Sequence, residues 1–141
     1  MNQIQIYYPA FALVILTFVV WVAMLLRRAM HMKKHKILPN DMPTRELADE
    51  KFGVAQLPNN NLMNLFEIPI LFYFSTIVIF QLHMADLMFV VLAWVYVALR
   101  YAHSLIHLTY NNVLHRGIPY LLSTFILGLV WLRVIYQCVI G

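Results

Sequence analysis

Four long stretches of this chain carry almost nothing but apolar side chains, and short polar segments separate them. They cover residues 9–26, 62–82, 85–106 and 117–139. Each offers about the twenty residues that an α-helix needs to cross the hydrocarbon core of a bilayer. The pattern predicts an all-α membrane protein: one transmembrane four-helix bundle over residues 1–141, with helices at about 9–26, 62–82, 85–110 and 117–139. The first stretch is a retained helix rather than a signal peptide. Its basic residues, Arg27 and Arg28, follow the apolar run instead of preceding it.

The segments between the stretches carry their own signals. After Arg28 a polar connection runs to about Asn61. Within it, Thr44 is placed to cap a short surface helix over residues 45–52 that Gly53 stops. His83-Met84-Ala85-Asp86 makes a short turn, and the brief link 112–116 makes the third and fourth helices antiparallel neighbours. Pro69 is expected to kink the second helix, and Pro119 to sit in the first turn of the fourth.

Composition agrees with a lipid environment. Hydrophobic residues make up 62% of the chain and charged residues 11%, against about 25% charged in soluble domains. The formal net charge of +4 does not call for nucleic acid. Arg27, Arg28, Lys33, Lys34, Lys36, Arg45 and Lys51 all lie in the first connection. Basic loops stay on the cytoplasmic side, so both termini are expected on the opposite, periplasmic side. Attraction of this loop to anionic lipid accounts for the remaining charge. Cys138 is the single cysteine and excludes an intrachain disulfide.

Ionisable groups inside spans are costly and mark functional sites. On the third helix Tyr96, Arg100, His103, His107 and Tyr110 repeat at spacings of four, three, four and three, which puts them on one stripe. Arg100 lies ~22 Å along that helix from Ala85 at ~1.5 Å per residue, in the cytoplasmic part of the bilayer. Asn60, Asn64 and Glu67 form a matching stripe on the second helix. Arg116, Tyr120 and Thr124 open the fourth, and Arg28 closes the first. Such a set at one level fits a site for a polar ligand. It also fits packing: Glu67 with Arg100 as a buried ion pair, or Asn64 bonded between helices. Arg133, near the outer end of the fourth helix, is expected to snorkel toward the interface. His103 and His107 have metal-ligand spacing, but no third ligand with a recognisable spacing accompanies them except Glu67.

At these residues the chain resembles a family, the membrane-associated proteins in eicosanoid and glutathione metabolism (MAPEG). Arg100-Tyr-Ala-His103-Ser104 with Arg116 is similar to a family pattern of Arg-x-x-His-Thr with a second Arg sixteen residues after the first. Asn64-x-x-Glu67 followed by Pro69 resembles the motif on the family's second helix, and Arg27-Arg28 its basic pair ending the first. The resemblance covers helices two to four well and helix one loosely. It implies a bacterial-type member: a homotrimer in the inner membrane that uses glutathione as co-substrate on a lipophilic partner from the bilayer, as a transferase or peroxidase. Carried over, Arg28, Asn64, Glu67, Arg100 and His103 line the glutathione cleft, with His107 and Tyr120 beside them and Arg116 nearest the sulfur. Where glutathione-using members carry helix-two arginines, this chain reads Asn60 and Met63, and His107 stands in place of a tyrosine. A non-catalytic membrane protein, or a lipid or small-molecule binding module on the same fold, is the competing expectation.

Overall fold

The computed structural model describes residues 2–140, apart from the side chain of Arg45. The described residues form α1 (Tyr7–His35), α2 (Arg45–Phe52), α3 (Leu57–Phe66), α4 (Pro69–Gln81), α5 (Leu87–Leu108) and α6 (Val113–Ile140), with short 3₁₀ turns before α1 and on either side of α2. Four helical stretches are long and apolar enough to cross a membrane: α1, the run through α3 and α4, α5, and α6.

Each span packs one stripe inward and leaves the rest apolar. On α1 Leu13, Val20 and Met24 are buried, while Phe11, Ile15, Phe18 and Val22 are exposed. A soluble helix would expose polar residues there. Here acyl chains are the only solvent that suits both faces. The core runs through Val20, Leu65, Phe72, Ile79, Phe89, Val97, Leu127 and Val134. Phe72 of α4 stacks on Tyr96 of α5, ring centroids 4.4 Å apart. The pair α5 and α6 is the most extensive helix contact, and α1 lies against α3 and α5.

Several boundaries differ from the apolar pattern. α1 continues past Arg28 to His35, because its last turn of Lys33, Lys34 and His35 suits a helix C-terminus. The surface helix has the expected limits, with Thr44 Oγ1 accepting from Leu47 N–H and Gly53 (φ +48°) ending it. The second span starts at Leu57 and is divided rather than bent. α3 ends at Phe66, Glu67 leaves helical geometry, and Pro69 begins α4. Proline has no N–H to continue the ladder; Ile70 N–H and Leu71 N–H bond to the carbonyls of Glu67 and Ile68 instead. The fourth span begins at Val113, because Asn112 Oδ1 accepts from His115 N–H. Pro119 is therefore inside α6, not in its first turn.

The outer turn holds two features beyond the sequence reading. Gln3 bonds Ala85 in both directions. Arg133 forms an ion pair with Asp86, which also caps α5 by accepting from Phe89 N–H. The Arg133 guanidinium also lies 4.1 Å from the Phe89 ring centroid.

Candidate functional site

The α5 stripe turns inward. Tyr96, Arg100, His103 and His107 are all buried, and Arg100 is 0% exposed. Tyr110 lies beyond the helix end and is exposed. Around Arg100 the neighbours are aromatic faces. Its guanidinium carbon is 5.3 Å from the Tyr96 ring and 4.7 Å from the Tyr120 ring of α6. None of its three nitrogens has a hydrogen-bond partner among the described residues. Cation–π contacts offset part of the cost of burying this charge. A buried cation without an anion still remains expensive.

One turn on, His103 and His107 are fixed by Arg116. His103 Nδ1 lies 2.8 Å from the Arg116 backbone carbonyl. A carbonyl only accepts, so Nδ1 carries the proton. His103 Nε2 is buried and has no partner. The Arg116 guanidinium donates through Nη1 to His107 Nε2 at 2.9 Å and to Asn111 Oδ1. A guanidinium only donates, so His107 presents a bare Nε2 to it. Asn111 can take this position because its backbone is left-handed (φ 49°), a conformation asparagine tolerates. The Tyr120 ring completes the wall, 5.5 Å from the His103 ring.

Thus Arg100, His103, His107, Arg116 and Tyr120 come together, with Tyr96 added. The other predicted residues do not join them within one chain. Arg28 donates to Gln56 Oε1 at 2.9 Å and lies over the Phe52 ring, and Gln56 in turn donates to Asp49. That chain of contacts ties the end of α1 to the surface helix. Asn64 is half-buried and Glu67 is exposed at the break between α3 and α4. The Glu67–Arg100 ion pair does not form: the one ion pair among the described residues is Asp86–Arg133. The helix break aims Glu67 outward, while Arg100 faces the interior.

Asn61 is the residue that sequence reasoning missed. It is 0% exposed and its Oδ1 accepts from Ser104 Oγ at 3.2 Å, next to His103. Its spacing from Pro58 and Leu65, both buried, is the signal: those three share a helix face, whereas Asn60 is exposed. Among the described residues no group of three His, Cys, Asp or Glu gathers as metal ligands.

Chemically the cluster offers two arginines without a carboxylate among the described residues, two imidazoles and two tyrosine rings. That set suits an anion or a group that becomes one. A carboxylate matches an arginine fork, and a thiolate beside a guanidinium is stabilised as an anion. The residues present therefore fit the acidic and thiol parts of glutathione, and the exposed Glu67 carboxylate has the charge to meet an ammonium.

Comparison with curated proteins gave no match, and neither did comparison with solved structures. The profile of the MAPEG family, however, matches residues 6–136, nearly the whole length. With four membrane-spanning helices and this match, the chain is an integral membrane protein that belongs to the MAPEG family.

Proposed function

We propose that this protein is a glutathione-dependent transferase or peroxidase acting on lipophilic substrates, working as a homotrimer in a bacterial inner membrane. The observation that carries the reading is Arg100: a fully buried guanidinium with no hydrogen-bond partner among the described residues, in a chain of this family, on the helix that packs against the one bearing Arg116. Arg100 and Arg116 supply cations for the carboxylate and thiol ends of glutathione. The apolar outer faces of the spans give a lipophilic partner a route from the bilayer. Family resemblance adds Arg28, Asn64 and Glu67 from a neighbouring subunit's side of the cleft.

Both termini are assigned to the periplasmic side, since the basic residues gather in the first connection. A cysteine placed at Lys36, with Cys138 replaced by serine, would then resist an impermeant thiol reagent in intact cells; prompt labelling would reverse the topology.

A second reading has its own support. The Arg116 guanidinium is already bonded to His107 and Asn111, as a loop brace in a non-catalytic or ligand-binding relative would be. Titrating the purified protein with glutathione while following thiolate absorbance decides between them. Saturable thiolate formation, lost in Arg116→Ala and partly restored in Arg116→Lys, is the expected result. No thiolate signal in the parent, with a lower melting temperature in Arg116→Ala, would establish the brace instead.

A further inference from the structure

We infer that His103 Nε2 is the proton acceptor that converts the bound thiol to thiolate, and this rests on the glutathione reading above. Two demands define a general base in a protein: one ring nitrogen held by an acceptor so that the tautomer is fixed, and the other left with its lone pair toward the reacting group. His103 meets both. Its Nδ1–H is held by the Arg116 carbonyl at 2.8 Å, and its Nε2 is buried with no partner. His107 meets neither: its Nδ1 has no acceptor among the described residues, and its Nε2 lone pair is engaged by Arg116 Nη1.

The brace matters as much as the free nitrogen. The carbonyl that orients His103 belongs to the same residue whose side chain would hold the sulfur. Base, on α5, and cation, at the start of α6, are therefore joined through the one residue Arg116. Charged and titratable groups around His103 are Arg100 and His107 on α5 and Arg116 and Tyr120 on α6, and among the described residues no carboxylate pairs with it. Two fixed cations make an imidazolium unwelcome when the site holds no anion. A thiolate formed in the same step offsets that repulsion, so proton transfer is coupled to thiol binding.

The step balances as follows. The S–H bond breaks, its proton bonds to His103 Nε2, and the electron pair stays on sulfur beside Arg116. With an aryl chloride as electrophile, sulfur forms the C–S bond, chloride leaves with the C–Cl electron pair, and His103 returns its proton to water.

Two measurements test this. The first uses the unaltered trimer, glutathione and a pH indicator in rapid mixing. If His103 takes the proton, thiolate absorbance appears with no proton released to bulk. If Arg116 alone stabilises the thiolate, one proton is released for each thiolate, and the inference fails. The second uses His103→Asn, whose side-chain amide can still donate to the Arg116 carbonyl but cannot take a proton. With chlorodinitrobenzene as electrophile, kcat should fall about a hundredfold, the acid limb of the kcat/KM profile should disappear, and glutathione affinity should stay within about twofold. An unchanged profile in a variant that binds glutathione overturns the role of His103 while leaving the glutathione site intact. Absence of glutathione binding in the parent overturns both.

Discussion

At the scale of single residues, Arg100 is where stability and binding are expected to part. A guanidinium wholly inside the bundle, with aromatic faces but no anion or hydrogen-bond acceptor, costs folding free energy. Replacing buried charged groups by apolar ones of similar volume is often stabilising by about 1–4 kcal/mol. Arg100→Met should therefore melt at or above the parent's temperature without ligand. If the charge is kept for an anion, the same variant should lose the rise in melting temperature that glutathione gives the parent, because that rise reflects binding to the folded state. Thermal unfolding of both proteins with and without glutathione gives the answer. A variant that melts lower yet keeps the ligand-induced rise would make Arg100 a packing residue held by its tyrosines. The stripe that contains Arg100 was legible from spacing alone, since an α-helix brings positions 96, 100, 103 and 107 to one face whatever surrounds it. What faces Arg100 was not, because partners on α6 are chosen by how two helices meet. Arg116 shows the same limit: its hydrogen bond to His107 depends on the left-handed turn at Asn111.

At the scale of elements, the apolar runs determine the number of spans, and the ends of those spans carry the surprises. Lipid makes long apolar segments unmistakable, but it says little about phase. Asn60 and Asn61 are neighbours, and Asn61 turns inward because it shares the buried face of Pro58 and Leu65. Read locally, Arg133 is a lone cation near the outer end of a helix. Its partner is 47 positions earlier in the chain, and no local pattern points to it. This outer clasp can be tested by pH. Asp86 caps α5 and pairs with Arg133, and the Arg133 hydrogen bond holds its carboxyl below the usual carboxylate range despite partial burial. A carboxylate with a lowered folded pKa adds stability above its unfolded value, and that stability is lost as pH falls through the folded one. Asp86→Asn keeps the cap and removes the charge. It should cost no more than about 1 kcal/mol, as for a partly exposed pair, while Asp86→Ala should cost about 1 kcal/mol more through the lost cap. The gap between parent and Asp86→Asn should hold at neutral pH and close on acidification below the ordinary carboxylate range near ~4. A gap that persists in strong acid would remove the ion pair from the account.

At the scale of the whole molecule, the exposed carboxylate of Glu67 is the feature a single chain leaves unresolved. Glu67 is the one charged residue of the span through α3 and α4, with Phe66 and Ile70 exposed on either side. A charge facing lipid at that depth is heavily penalised, and the helix break beside it leaves backbone groups that only protein or a water-filled cavity can satisfy. Both problems are removed if another copy of the chain covers the break. Closed symmetry makes such contacts identical in every copy, and the family suggests three. The protein in mild detergent should therefore have the mass of a trimer by light scattering. Assembly should also depend on Glu67 even when no glutathione is present. If its carboxylate meets a cation of the neighbouring copy, Glu67→Gln leaves that cation uncompensated. Breaking a buried pair in this way costs about 3 kcal/mol, which corresponds to more than about a hundredfold in the trimer's dissociation constant. Dilution of parent and variant in the same detergent, with helicity followed by circular dichroism, measures it. A folded monomer in the parent would leave Glu67 facing lipid or water and end the case for an intersubunit cleft. A trimer unaffected by Glu67→Gln would keep the assembly and move the ion contact elsewhere.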